Sequence, residues 1–249
     1  MYVELHAASA FSFLQGASTP EALVDRAARL GYPALALVDA DGVYGAPRFY
    51  KAATKAGVRA IVGAELTIDA SGRMPGPPSR GTRSPVLSSV PVATWRLPVL
   101  VESAEGYRNL CRLVTRMKMR AEKGQGALVL EELDGHVAGL VALAGRPALD
   151  TRRHGVGGLL DRLVGIFGRR HVYVELQRHR CREQEADNAT LAAMARAFRV
   201  PVIATNDVRC AEVGERPLLD VLTCIHHHTT LDAAGRRLAR NAEIGRAHV

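Results

Sequence analysis

The sequence predicts an α/β protein folded as one distorted (β/α)7 TIM-like barrel, and three observations predict it. About seven short apolar runs alternate with helical patterns along most of the 249 residues. Several of these runs end abruptly in histidine- or aspartate-bearing polar residues, which is where parallel α/β proteins place their chemistry. A hydrophobic content of 47% over this length is enough to bury one substantial core, so a single domain is the default.

The elements follow in order. Val3–Leu5 reads as a first strand and leads through a turn to Gly16. Ser18 stands three residues before Glu21 with Pro20 between them, the spacing of a capping box with proline in the first turn, so a helix begins here. Leu23, Ala27 and Leu30 repeat at helical spacing, and Gly31 supplies a left-handed stop. The run from Ala34 to Val38 is the second strand, Pro47–Ala56 a second helix closed by Gly57, and Val58–Val62 a third strand leading into Glu65. Three strand and helix turns in this space mean βαβ units. Residues 69–95 break the pattern: five of the twelve prolines fall here among Gly, Ser and Arg, so the segment is a surface insertion and not a domain boundary. Alternation then resumes with a strand at Leu97–Val101, a basic helix at Ala104–Met119 and a link at Glu122–Gly126. Val137–Leu143, Val172–Leu176 and Val200–Ala204 are further strands, with helical patterns at Gly157–Phe167 and Glu183–Phe198 between them.

A formal charge of +8 and a pI near 9.7 suit a phosphate-rich partner, although arginine-rich usage produces the same balance without one. Arg108, Arg112, Arg116, Lys118 and Arg120 read as a solvated helix face or a contact with DNA or with another domain. The four cysteines are scattered with no CxxC pair and nothing before Tyr2 resembles a signal peptide, so a reduced cytoplasmic setting is expected. The longest apolar runs are far short of the roughly 20 residues that span a bilayer, so no membrane is expected as a partner.

His6, Asp39, Asp41, Glu65, Gln177, His179, Asn206 and Asp207 all follow apolar strands. In a parallel barrel those exits converge on one mouth, and histidine with carboxylates there is the composition of a zinc or manganese hydrolase. Other candidates are weaker. Asp39-Ala40-Asp41-Gly42 opens like a calcium loop, but Lys51 and Ala52 stand where the closing glutamate belongs. Cys210 has no histidine base beside it. His226, His227 and His228 point in different directions on a helix and are read as a helix end or loop.

LHAASAFSFLQGAS, ALVDADGVYGAPRFYKAA, GAELT, EGYRNLCRLV, YVELQRH, ATNDV and RPLLDVLTCIHHHTTLDAAGRRL together resemble the amino-terminal PHP (polymerase and histidinol phosphatase) domain of bacterial C-family DNA polymerases. The likeness is strongest to the error-prone paralogue of the DNA polymerase III alpha subunit. The opening motif alone indicates only the PHP superfamily; EGYRNLCRLV, ELQRH and DVLTCI with TTLDAAGRRL indicate the polymerase branch. The resemblance implies a barrel of the (β/α)7 kind whose active members hold up to three metals. It also implies a parent enzyme that is a DNA-directed DNA polymerase, or nucleotidyltransferase, using magnesium in damage-induced translesion synthesis and DNA repair. DNA, the remaining polymerase domains, a sliding clamp and accessory repair proteins are the implied partners.

Carried over position by position, the resemblance leaves four metal-ligand candidates, His6, Glu65, His179 and Asp207. The other ligand positions of the family are occupied by Ala8, Gln15, Ala40, Arg96 and Arg209. Alanine donates no electron pair, and arginine adds a fixed positive charge beside any cation. The expected module is therefore degenerate and structural, with no catalytic residue assigned, and with Arg96 and Arg209 as counter-ions to Glu65 and Asp207. The alternative is a metal-dependent 3′–5′ exonuclease or PHP-type phosphoesterase that still binds zinc or manganese in part. Residues 1–243 are read as the PHP domain. Residues 244–249, IGRAHV, match the translation of a sequencing adapter and are expected to be a non-native tail on a C-terminally truncated barrel, whose missing end elements would leave apolar surface exposed.

Overall fold

The computed structural model describes residues 2–70, 94–122, 126–150, 154–179, 181–239 and 241–245. Most of the expected insertion and the centre of the link at 122–126 lie outside the described residues. Seven strands, β1 (Glu4–Ala7), β2 (Ala34–Ala40), β3 (Arg59–Asp69), β4 (Thr94–Val101), β5 (Leu140–Ala144), β6 (Val172–Gln177) and β7 (Val202–Thr205), form one sheet in sequence order. The sheet curls until Ala7 bridges Val208 just beyond β7, with Ala8 N to Val208 O and Val208 N to His6 O both 2.8 Å, so the barrel is nearly closed.

The strands are not all parallel. β4 runs antiparallel to both β3 and β5, while the remaining neighbours pair in parallel. A parallel pairing needs a crossover, usually a helix, and the proline-rich stretch between β3 and β4 has no helical periodicity to provide one. The reversal puts the start of β4 at the mouth where the other strands end, and Arg96 pairs there with Thr67.

Helices α1 (Pro20–Arg29), α2 (Ala46–Ala56), α3 (Ala104–Met119), α4 (Gly158–Phe167) and α5 (Arg182–Phe198) lie between strands, followed by α6 (Arg216–His226) and the short α7 (Leu231–Ala234). α3 matches the expected range, and the expected stops are present: Gly31 and Gly57 have φ of 71° and 70°. Two details differ from expectation. The N-cap of α1 is Thr19, which accepts from Ala22 N, because Ser18 is drawn into tertiary bonds with Glu215 and Ala211 N. The strand expected from Val137 starts only at Leu140, because Val137–Gly139 form a turn with Gly139 at φ 73°. The histidine triplet lies at the end of α6, with His226 its last residue, as expected for a helix end.

Strand alternation sorts the core into layers. Leu35 and Leu37 of β2 pack under α1 and α2 with Leu23, Val24 and Phe49. Ala36 and Val38 turn inward to meet Leu100 and Leu143, with Leu5, Ile61, Tyr173 and Ile203 packed against them. The largest cluster lies between β3–β6 and helices α3–α5, around Leu66, Val99, Leu113, Met117 and Leu163. Ile244 is also buried, against the α1 and α2 cluster, and its amide donates to Cys210 O. On α6, Leu218, Val221 and Ile225 are exposed. None of the described helices is long and apolar enough to cross a membrane.

Candidate functional site

Above the apolar lumen layer sits a charged one. In β3, Ile61 faces the lumen, and Glu65 continues the same alternate row toward the mouth. In β6, Tyr173 and Glu175 have the same relation. β1 reaches this layer by an irregularity: Glu4 and Ala7 lie opposite Leu35 and Leu37, so three steps on one strand match two on the other. Such a bulge re-aims a side chain, and here it turns His6 inward while Ala7 joins the helix-side core. Asp207 follows β7 in the left-handed region, at φ 45°, and Arg209 follows it.

The four buried or half-buried groups His6, Glu65, Asp207 and Arg209 meet at one point. His6 Nε2 is 2.9 Å from Glu65 Oε1, and its Nδ1 is 2.7 Å from Glu175 Oε1. Burial alone would lower the His6 pKa, but Glu175 and Asp207, with Glu65 bonded to the ring, hold it well above its ordinary value. Each ring nitrogen thus faces a carboxylate, an arrangement that favours the protonated ring. Arg209 forks onto Glu65, Nη2 to Oε1 at 2.9 Å and Nη1 to Oε2 at 3.1 Å. Its Nη2 also lies 2.6 Å from Asp207 Oδ1, an ion pair without hydrogen-bond alignment. Burial opposes ionisation of Glu65, yet Arg209 and His6 override it and keep its carboxyl well below the usual carboxylate range.

The donor atoms of His6, Glu65 and Asp207 lie within 4.8 Å of one another, as a metal site requires. The chemistry of the set does not fit a divalent ion. The guanidinium of Arg209 already spans both carboxylates with its fixed charge, and both ring nitrogens of His6 are engaged by carboxylates. The fourth candidate, His179, is at the mouth but engaged elsewhere. Its Nε2 donates to Asn206 O at 2.9 Å, and its Nδ1 accepts from the Gln184 amide at 2.9 Å.

Of the remaining positions, Ala8 is fully buried, and the amide of Ala40 donates to Ser12 Oγ. Gln15 lies in the turn after β1, its amide bonded to Ser12 O. Arg96 corrects one expectation: it pairs with Asp41 at 2.8 Å, not with Glu65 or Asp207, because the antiparallel β4 places it beside Thr67, to which Asp41 also bonds. Asp39 accepts from Ser9 N, Ser9 Oγ and Ser12 Oγ at 2.7–3.0 Å and is thereby tied to the loop after β1.

Two members of the layer were not singled out in the sequence. Glu175 bonds His6 and accepts from Thr205 Oγ1 at 2.6 Å. Glu4 accepts from Tyr2 Oη, His6 N and Asn206 N, and burial pushes its carboxyl up to about 7. The available signal was a carboxylate interrupting an apolar strand, since VELH and YVEL each contain one. Cys210 is buried, and burial, with Glu243 and Glu215 nearby, pushes its thiol up to about 12, which excludes a ready nucleophile.

A cavity of about 530 Å³ opens beside this layer, lined in part by Arg146, Gln177, His179, Arg182, Asp207 and Arg236.

Comparison with known proteins places this geometry. A family model described as "PHP domain" matches residues 4–179. A protein of Anaeromyxobacter sp. strain K named error-prone DNA polymerase is 41% identical over 251 residues, covering 97% of this chain and 20% of the relative. Proteins of the same name from Mycolicibacterium paratuberculosis and Pseudomonas fluorescens are 37% and 35% identical, covering 100% and 97% of this chain and 22% and 21% of their own. The chain thus spans about a fifth of the length of the curated relatives it matches. Among solved structures, one from Bifidobacterium adolescentis assigned to the metal-dependent phosphoesterases superposes with a TM-score of 0.56 at 13% identity, over 82% of this chain and 86% of that one. An amidohydrolase from Chromobacterium violaceum gives 0.55 at 17% identity, over 84% and 88%. At these identities the likeness is one of fold.

Proposed function

The chain belongs to the PHP domain family, and on that premise we propose that it is a non-catalytic barrel module of an error-prone DNA polymerase, kept for architecture and not for hydrolysis. The observation that carries this reading is Arg209, whose guanidinium lies between Glu65 and Asp207. A divalent ion at such a mouth would acidify a bound water and neutralise phosphate oxygens. Arginine supplies the positive charge that the carboxylates need, but it offers no coordination position for a water and does not itself ionise at neutral pH. Both nitrogens of His6 are engaged, by Glu65 and by Glu175, which leaves neither free to act as a base. In this reading His6, Glu65, His179 and Asp207 are vestigial ligands, residues 1–243 form the module, and Arg209 does the structural work of the lost metal.

The names of the relatives, about five times longer than this chain, support placing the module in a DNA-directed DNA polymerase. That whole protein would act in the cytoplasm on DNA during damage-induced translesion synthesis and repair, with magnesium at a site outside this chain. Its other polymerase domains, a sliding clamp and accessory repair proteins would be its partners.

A second reading, a metal-dependent 3′–5′ exonuclease or phosphoesterase, is favoured by the convergence of the His6, Glu65 and Asp207 donors. An end-labelled oligonucleotide incubated with the chain and zinc or manganese distinguishes the two. The scaffold reading expects no cleavage above the protein-free blank. Cleavage that disappears in His6→Ala would establish the second reading instead.

A further inference from the structure

The mouth carries a second feature that the charged layer does not use. Phe11 and Phe13 stand on the loop after β1 and Tyr44 on the loop after β2, with 37%, 77% and 56% of their surface exposed. Large aromatics grouped on loops at one end of a barrel are a surface for something else to cover. The two loops adjoin each other: Phe11 packs on Gly45, the residue after Tyr44, so closely that a Cβ there would lie 3.3 Å from the Phe11 ring.

Cations stand beside two of these rings, Phe11 and Tyr44. The Arg48 guanidinium lies 5.7 Å from the Phe11 centroid, and the Lys118 ammonium lies 5.5 Å from the Tyr44 centroid. Glu21 holds Arg48 by two bonds of 2.7 and 3.0 Å, so Arg48 is a fixed plane beside the ring and not a free charge. Lys118 has no carboxylate partner among the described residues. It stands near the end of α3, and the reversal of β4 explains why: α3 leaves from the opposite end of the barrel and runs toward the mouth. Arg108, Arg112 and Arg116 are exposed along that helix, and among the described residues none of them is paired with a carboxylate. A cationic helix thus ends at an aromatic rim.

We propose that this rim binds single-stranded DNA, with unpaired bases stacking on Phe11, Phe13 and Tyr44 and phosphates following the cations of α3. Base stacking on exposed rings combined with a cationic track is how sequence-tolerant single-strand binding is built. The chain's +8 charge complements such a ligand. A protein partner fits less well, since interface cores are depleted of lysine, and here lysine and arginine stand against the rings themselves. Paired bases in a duplex keep their faces stacked on one another and cannot use the rings. The choice of DNA rests on the polymerase reading above. Metal content, which tests that reading, does not depend on the rim, so the two can fail separately.

The test is fluorescence anisotropy of the full chain with a labelled oligothymidylate of about 20 nucleotides, at about 50 and about 200 mM NaCl. Saturable binding is expected. Phe13→Ala and Tyr44→Ala should each weaken it by about 5- to 150-fold, while Phe13→Tyr and Tyr44→Phe retain it. Lys118→Gln should reduce the slope of log K against log salt by about 0.7. Urea midpoints of all variants should match the parent, because the rings are exposed. No saturable binding by the parent, undiminished affinity in the Phe13→Ala, Tyr44→Ala double variant, or equal ring-dependent affinity for blunt duplex would overturn the proposal. Ring-dependent self-association without oligonucleotide binding would assign the rim to protein contact and overturn it as well.

Discussion

Replacing Arg209 by alanine removes the cation that two carboxylates share. The Glu65 side chain is only 4% exposed and that of Arg209 15%, so the pair is largely withdrawn from water, whereas Asp207 at 30% can rehydrate. Breaking a buried ion pair from one side costs about 3–5 kcal/mol, mostly from the charge left behind. Rehydration of Asp207 and the remaining bond from His6 to Glu65 put the expected loss near the lower limit, about 3 kcal/mol. For a chain of this length that corresponds to a fall of about 6–12 °C in Tm. Urea denaturation followed by circular dichroism measures it directly. Adding Glu65→Gln to Arg209→Ala should restore more than half of the loss, because the uncompensated charge is then gone. Zinc should raise the Tm of Arg209→Ala, whose Glu65 and Asp207 carboxylates lose their competing cation, by more than that of the parent. A loss below about 1 kcal/mol, or equal zinc stabilisation of both proteins, would show that Arg209 does not stand in for a cation and would refute the reasoning.

Three further outcomes are expected. Gly106→Ala would set a Cβ 1.8 Å from the Gly139 carbonyl oxygen, a backbone atom that cannot step aside, so α3 must shift at a cost of about 3 kcal/mol in urea melts. Cys210 should resist Ellman's reagent at about pH 8 until the chain is denatured, whereas the half-buried Cys111 and Cys181 react in the native state. Burial alone would raise the Glu132 carboxyl, but Arg120, bonded through both guanidinium nitrogens at 2.7 Å, holds it below 4.5. Its stabilising contribution is present above pH 4.5 and lost as pH falls through the lowered folded pKa. Glu132→Gln should therefore be less stable than the parent at neutral pH, with the gap closing in acid.

Much of the frame was legible because local rules governed it. The basic helical repeat from Ala104 to Met119 gives the bounds of α3, and glycines at 31 and 57 set the stops of the first two helices. What was not legible depended on partners distant in sequence. Ser18 has the spacing of a capping residue, but Glu215, nearly two hundred residues away, claims its hydroxyl and leaves the cap to Thr19. β4 runs antiparallel to β3, a direction that the apolar runs alone do not reveal, and that direction delivers Arg96 to Asp41. The resemblance, which puts arginine at two ligand positions, leads to Arg209 beside Glu65 and Asp207 but to the wrong partners for Arg96. Glu175 was not legible because it lies inside an apolar strand and not among the polar residues at its exit.

Metal analysis of the purified chain by inductively coupled plasma mass spectrometry tests the central claim most directly. A barrel mouth whose carboxylates are already held by Arg209 and His6 should carry far less than one equivalent of zinc or manganese. The restored variant combining Ala8→His, Gln15→Asp, Ala40→His and Arg209→His should gain metal. One or more equivalents bound to the parent chain and lost in His6→Ala would contradict the account.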